Sequence, residues 1–170
     1  MIDELNNLQT RIEKIIAKFQ KKDEISDSLL DLLIMAYVYG VENVNESLGI
    51  DTLPTKEGMY NSVFKKIDGK TWEERLKKVE SADEVRRIAE TESHRVFGDG
   101  QWDTAKGKAK SKTWHTMSDD KVREEHWYLD GLTVGIDELF YTLDGYGTLY
   151  PGNFGVASLD VNCRCYLEYR

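Results

Sequence analysis

The stretch K-T-W-H-T-M at residues 112–117 marks the point where the character of the sequence changes. Its side chains alternate as in a β-strand, whereas the residues before it carry apolar positions at helical spacing. Downstream, a glycine-rich, loop-like stretch leads to C-R-C-Y-L-E-Y at 163–169, which again has strand composition. The sequence therefore predicts an α+β protein. An N-terminal helical bundle or arm covers residues 1–80, and a small, loop-rich α+β domain with a short β-sheet covers residues 81–170.

The helical part opens with an apolar stripe on one face of a helix. Its members recur at steps of three and four residues: Ile2, Leu5, Leu8, Ile12, Ile15 and Phe19. Such a stripe suits a helix docked on its own domain, and it also resembles the seam of a coiled coil. We favour the docked helix, because three heptads barely reach the length that a coiled coil needs. Self-association through the N-terminal helices stays open.

Further helices are predicted up to the change in character. Thr71 begins one and Ser81 begins another, because each is followed three residues later by a glutamate that completes a capping box. Gly98 and Gly100 are expected to bend or end the helix that begins at Ser81. The boundary between the helical and the mixed part of the chain then falls near residues 98–112.

Composition and charge exclude several classes of protein. The chain has 170 residues, 40% of them hydrophobic, and a formal net charge of −8, as expected for a soluble domain. Its start lacks the pattern of a signal peptide, and no apolar run could span a bilayer, so no membrane association is predicted. Two cysteines do not form a disulfide framework, which indicates a reducing cytosol. An acidic chain is also poorly suited to coating DNA.

The two cysteines, Cys163 and Cys165, lie one residue apart near the end of the sequence. On an extended strand both side chains would point to the same side, where they could ligate one Zn²⁺ or pack as small apolar groups. His126 and His115 are candidates for a further ligand. A disulfide between the two would strain an extended backbone, and no local turn marks a cysteine nucleophile. Metal ligation and simple packing both stay open.

A basic stretch, K-G-K-A-K-S-K, precedes the strand-like segment. It places lysine at alternate positions: Lys106, Lys108, Lys110 and Lys112. One interpretation is a weak strip of phosphate contacts to DNA, which would be sensitive to salt. The other, which we favour, is a solvated linker or an exposed strand edge, where lysines discourage pairing with other chains.

Several segments, taken in order, resemble one family. They are A-E-T-E (89–92), K-T-W-H-T (112–116), D-D-K-V-R-E-E-H-W-Y-L-D-G (119–131), I-D-E-L-F (136–140), Y-P-G-N-F-G (150–155) and V-N-C-R-C-Y-L (161–167). In this order they resemble the phage Mu protein F-like domain of minor head proteins, also called head morphogenesis proteins. The resemblance covers roughly residues 81–170, and R-x-x-H-x-x-L-D-G and N-C-R-C are its most specific parts.

The resemblance implies a structural protein of a tailed, double-stranded-DNA phage or prophage. Such proteins sit inside the phage head near the portal, after synthesis in the host cytoplasm, and assist head morphogenesis; they are thought to leave with the DNA during ejection. The implied partners are the portal protein or other head subunits, and no enzymatic activity is implied. The family's paired His and Cys positions transfer onto His126, Cys163 and Cys165 and imply a structural zinc.

The other motif residues suit a framework role. Gly131 is predicted to adopt positive φ in a turn, and Asn162 to cap or turn before the last strand. Arg123 and Arg164 are predicted to pair with Asp130 or Glu125 and to pin the loops. The alternative function is a metal-dependent hydrolase or a toxin-like effector packaged in the head, which would need three metal ligands plus a water in a cleft.

Overall fold

A computed structural model describes residues 2–18 and 22–170. The helices in these residues are α1 (Ile2–Ile16), α2 (Lys22–Leu48), α3 (Lys56–Val63), α4 (Trp72–Leu76), α5 (Ala82–Ala105), α6 (Glu124–Trp127) and α7 (Ala157–Asp160). The strands are β1 (Ser111–His115), β2 (Thr133–Gly135), β3 (Phe140–Tyr141), β4 (Gly147–Thr148) and β5 (Tyr166–Tyr169). The predicted α+β class is confirmed. No helix among the described residues is both long enough and apolar enough to cross a membrane.

The first helix docks on the helices of its own chain. The members of the predicted stripe whose side chains are described are all buried: Leu8, Ile12 and Ile15. They belong to an apolar cluster that also includes residues of α2, α4 and α5. Phe19 lies outside the described residues, as do the side chains of Ile2 and Leu5. The docked interpretation is confirmed for the three described residues, while self-association through the N-terminal helices stays a prediction.

Helices α2 and α5 approach each other so closely that two positions require glycine. A Cβ atom at Gly100 would lie 2.3 Å from the carbonyl oxygen of Tyr37, and one at Gly40 would lie 2.1 Å from the carbonyl oxygen of Phe97. The backbones of the two helices are therefore in direct contact. The helix does not end at Gly98 or Gly100, because α5 runs through both positions. A bend at these glycines stays a prediction.

Both predicted capping boxes are confirmed, and they fix the starts of α4 and α5. The Thr71 side chain accepts from the N–H of Glu74 and the Glu74 carboxylate accepts from the N–H of Thr71; Ser81 and Glu84 repeat the exchange. Each box satisfies two backbone donors that the first turn of a helix leaves free.

A buried ionic network joins α3, α5 and the segment after β4. The guanidinium of Arg95 bonds Glu92 at 2.9 Å and Asp99 at 2.6 Å. Asp99 also accepts from the hydroxyls of Ser62 and Tyr150, both at 2.7 Å. These charges are paired and hydrogen-bonded, as buried charges must be if the fold is to be stable.

The main sheet has the order β2-β1-β5, with both pairs antiparallel. Strand β1 is central, and Lys112 lies opposite Val134 on one side and Tyr169 on the other. Strands β3 and β4 form a separate hairpin, with Phe140 opposite Thr148. A second apolar cluster, which includes Trp114, packs beneath these strands, and α2 and α5 contribute to it as well as to the first cluster. The division into residues 1–80 and 81–170 stays a prediction.

Candidate metal centre

A buried triplet of His126, Cys163 and Cys165 lies where α6 meets the segment before β5. The Nδ1 atom of His126 is 3.5 Å from Sγ of Cys165 and 3.7 Å from Sγ of Cys163. The three residues are only 1%, 3% and 3% exposed. In the part of the chain that the structure describes, their donor atoms form a group of potential metal ligands that all lie within 4.8 Å of one another. The structure thus brings together the three residues predicted to bind metal.

His115 does not join this group. Its Nε2 atom lies 3.3 Å from the carboxylate of Glu168 on the neighbouring strand, and its ring stacks on Tyr166 with centroids 5.2 Å apart. Both contacts run along the surface of the sheet. His115 is therefore removed as a candidate ligand.

The two cysteines lie between a turn and the last strand. Asn162 has a φ of 57°, and β5 begins only after Cys165. The prediction that both cysteines lie on a strand is therefore wrong. Asn162 is left-handed, a conformation that asparagine tolerates better than most residues, and it turns the chain immediately before Cys163. The prediction of a turn at Asn162 is confirmed.

His126 is held in place through hydrogen bonds between the end of α6 and β1. Gly131 has a φ of 75° and donates its N–H to the carbonyl of Trp114 at 2.8 Å. The Asp130 carboxylate accepts from the N–H of Thr116 at 2.7 Å and from its hydroxyl at 3.1 Å. The predicted turn at Gly131 is confirmed, and these bonds fix the position of α6 against the sheet.

Aromatic side chains enclose the imidazole. The indole of Trp114 meets it edge-on with centroids 5.7 Å apart, and Phe154 stacks on it with centroids 5.6 Å apart. Its Nε2 atom is buried and has no hydrogen-bond partner among the described residues. All polar contacts of the ring therefore run from Nδ1 to the two sulfurs.

Two arginines pin the chain around the triplet, with partners that differ from the prediction. Arg123 donates to a backbone carbonyl just before the cysteines. Arg164 forms a two-pronged ion pair with Asp119, with N···O distances of 2.8 and 2.5 Å. The predicted pairing with Asp130 or Glu125 is wrong, since Arg164 pairs with Asp119 and Asp130 accepts from Thr116, just after β1.

His94 is a neighbour of the triplet to which the sequence assigned no role. Its Nε2 atom lies 2.6 Å from the carbonyl oxygen of Cys165. Because a carbonyl only accepts, Nε2 carries the proton, and in a neutral ring the lone pair is then on Nδ1. His94 lies on α5, 71 residues away, and no local pattern predicts this contact.

The two thiols differ in acidity. A hydrogen bond from Cys165 is the largest cause that lowers the pKa of Cys163 well below its usual value, and His126 and His94 act in the same direction. The pKa of Cys165 is raised, because its neighbour and its burial both disfavour a second thiolate.

The donor set and its spacing fit zinc. Tetrahedral bonds of about 2.3 Å to sulfur and about 2.0 Å to nitrogen place those two ligand atoms about 3.5 Å apart. The separations of 3.5 and 3.7 Å match this value. A cavity of about 10 Å³ also adjoins the three side chains, roughly the room that one water-sized group needs. S–H···N hydrogen bonds have similar lengths, so the spacing suits both a ligand set and a hydrogen-bonded cluster.

The four lysines predicted as a strip do not share one surface. Three are exposed after the end of α5: Lys106, Lys108 and Lys110. Lys112 is 0% exposed, and its Nζ atom lies 4.8 Å from the ring centroid of Trp102. The prediction is wrong for Lys112, because β1 is a central strand and this side chain faces the core. For the other three, contact with DNA stays a prediction.

The fold and the triplet define an α+β protein in which a helical framework and a small sheet meet at a candidate metal centre. The chain belongs to the family described as Phage Mu protein F like protein, whose sequence model matches residues 56–168. The predicted resemblance is thereby confirmed, and the match begins at α3, earlier than the predicted start at residue 81.

Two relatives were found among characterised proteins. Minor head protein GP7 of Bacillus phage SPP1 is 37% identical over 89 residues, which cover 50% of this chain and 29% of that protein. NAD(+)--arginine ADP-ribosyltransferase EFV of Enterococcus faecalis is 43% identical over 84 residues, which cover 46% of this chain and 17% of that protein. The chain therefore spans less than a third of either relative. No solved structure matches it.

Proposed function

We propose that the protein acts as a minor head protein of a tailed, double-stranded-DNA phage or prophage, in head morphogenesis. One observation carries the proposal: the 37% identity with the minor head protein of phage SPP1 over 50% of this chain. The protein would be made in the host cytoplasm and then reside inside the head near the portal. Its partners would be the portal protein or other head subunits, and it would leave with the DNA during ejection.

The proposed role is structural rather than enzymatic. The candidate metal centre is buried, whereas a catalytic metal needs an open position that substrate can reach. This burial disfavours the alternative of a metal-dependent hydrolase or a packaged effector. The ADP-ribosyltransferase named among the relatives matches over only 17% of its length. Its named activity is therefore not transferred to this chain.

A structural zinc held by His126, Cys163 and Cys165 is part of the proposal. The ion would offset the charge of the thiolates and join α6 to the end of the chain, which are distant in sequence. Residues that bind a metal only when folded make its binding energy part of the folding energy. The neighbouring Arg123 and Arg164 would hold the backbone around the site.

The exposed Lys106, Lys108 and Lys110 are proposed to make a weak contact with packaged DNA. Such a contact would be steeply sensitive to salt, because it releases counterions from the phosphates. The net charge of −8 keeps it weak. Replacing all three lysines by glutamine would abolish any gel shift of a DNA duplex at low salt without changing the fold.

The head assignment is tested by deletion and complementation in the strain that carries the gene. We expect deletion to reduce the yield of filled heads, complementation to restore it, and purified heads to contain the protein. Heads that form normally and lack the protein would refute the assignment.

The zinc assignment is tested separately by elemental analysis of protein purified under reducing conditions. We expect one zinc per chain in the unaltered protein and its loss in Cys163→Ser. If the purified protein contains no metal and unfolds at the same temperature with and without added zinc, the zinc assignment is refuted. The head assignment is unaffected by that result.

A further inference from the structure

The β3–β4 hairpin carries an apolar face that points away from the core. Phe140 and Thr148 lie on its inner side and are buried, at 0% and 2% exposed. The alternate residues Leu139, Tyr141 and Leu143 are instead 39%, 59% and 70% exposed. A strand with one face in water normally carries polar side chains there. Here the outward row is apolar throughout; we call these three residues the hairpin face.

A glycine on the opposite strand makes the hairpin face continuous. Gly147 pairs with Tyr141. A Cβ atom at Gly147 would lie 2.9 Å from Cε1 of Tyr141 and 3.2 Å from Cδ1 of Leu139. Both side chains therefore lie over the glycine backbone and close together. The result is a flat apolar platform rather than separate exposed residues, and such patches mark interaction sites on soluble proteins.

The chain segment that carries the hairpin face is acidic. Residues 124–163 contain seven Asp or Glu and no Lys or Arg. Asp144 lies in the hairpin turn itself, and Asp137 and Glu138 precede β3. A negative rim around an apolar platform attracts cations and repels phosphates.

We propose that the hairpin face docks a protein segment in which arginine or lysine alternates with apolar side chains. The apolar side chains would cover Leu139 and Leu143, and an arginine could stack on the ring of Tyr141 while pairing with Asp144. Charge complementarity selects this occupant: DNA would meet the carboxylates, and a second copy packed symmetrically would bring two acidic rims together. The proposal does not depend on the metal centre or on the head assignment.

The test measures binding of a short synthetic peptide that alternates arginine with leucine, by fluorescence anisotropy at physiological salt. A matched peptide with glutamate in place of arginine and a short DNA duplex serve as comparison probes. The variants are Tyr141→Ser with Leu143→Ser, which removes the apolar surface at constant charge, and Asp144→Lys, which reverses the rim. The control is Leu53→Ser, since Leu53 is 78% exposed on a loop outside the hairpin.

We expect the arginine peptide to bind the unaltered protein and the Leu53→Ser control equally. Each hairpin variant should weaken binding about tenfold or more with its thermal unfolding unchanged. If the double serine variant binds the arginine peptide as tightly as the unaltered protein does, the binding is unspecific charge attraction and the proposal is refuted. Tighter binding of the DNA duplex, or concentration-dependent self-association that the double serine variant abolishes, would assign the face to a different occupant and also refute it.

Discussion

The Nδ1 atom of His126 lies 3.5 Å from Sγ of Cys165, although 39 residues separate them in the sequence. The contact joins α6 to the segment just before β5. A metal ligand pair and a hydrogen-bonded pair would both produce this distance, but they differ in what stabilises the fold. In the first case stability depends on an ion that can be removed, and in the second it does not.

Removing the metal should therefore destabilise the protein, and only when the ligands are intact. We expect a chelator to lower the free energy of unfolding by about 4 kcal/mol, the effect of a ligand present at about a thousand times its Kd. Cys165→Ala should lose the zinc and no longer respond to the chelator. The measurement is thermal unfolding with and without chelator. An unaltered protein that ignores the chelator would contradict the zinc assignment.

Replacing two glycines in α5 by alanine should change the free energy of unfolding in different ways. A Cβ atom at Gly100 would lie 2.3 Å from the carbonyl oxygen of Tyr37, so Gly100→Ala must push α2 and α5 apart and should cost about 3 kcal/mol or more. At Gly98 the nearest atom, in the Tyr150 ring, would be 3.5 Å away, an ordinary contact. Gly98→Ala should be neutral or stabilise by up to about 1 kcal/mol through helix propensity. Urea unfolding of the two variants provides the comparison.

These glycines also show which features the sequence alone could predict. Capping boxes at Thr71 and Ser81 were predictable because their signals lie within four residues. The need for glycine within a helix has no such local signal. Position 100 requires glycine because a carbonyl of α2 lies against it, and only the tertiary fold brings that carbonyl close.

The same limit applies to the candidate metal centre. His126 and the two cysteines were identified through motif resemblance, and their convergence was expected from strand alternation. The sulfurs do converge, although both lie before β5 and follow a left-handed turn at Asn162. The contact of His94 with the backbone of Cys165 joins residues that are 71 positions apart and has no sequence pattern.

The buried ionic network should contribute far more to stability than a surface ion pair. Arg95 is 3% exposed and bonds both Glu92 and Asp99. Arg95→Met would leave Asp99 buried without its cationic partner and Glu92 with Arg75 alone, so it should cost about 3–5 kcal/mol. Arg86 pairs with Glu13 at the surface, where water and salt screen the pair, so Arg86→Met should cost far less than Arg95→Met. Chemical unfolding near neutral pH measures both. Similar losses in the two variants would contradict the account of a buried network.

Lys112 should make stability rise with pH in the alkaline range. Burial lowers its pKa from 10.5 to about 8, against the opposing effect of Asp137 and Glu138. Between these values the unfolded chain holds a proton that the folded chain has released, so the free energy of unfolding increases with pH. Below pH 8 the buried charge destabilises the fold, although contact with the Trp102 ring offsets part of the burial penalty. Lys112→Met should therefore stabilise the protein at pH 7 and flatten the rise of the free energy of unfolding between pH 8 and 10.5. The control is Lys110→Met, at an exposed position nearby, which should change neither. The measurement is urea unfolding of both proteins across this pH range. If the free energy of unfolding of Lys112→Met and of the unaltered protein changes with pH in parallel, the pKa of Lys112 is not lowered in the folded state.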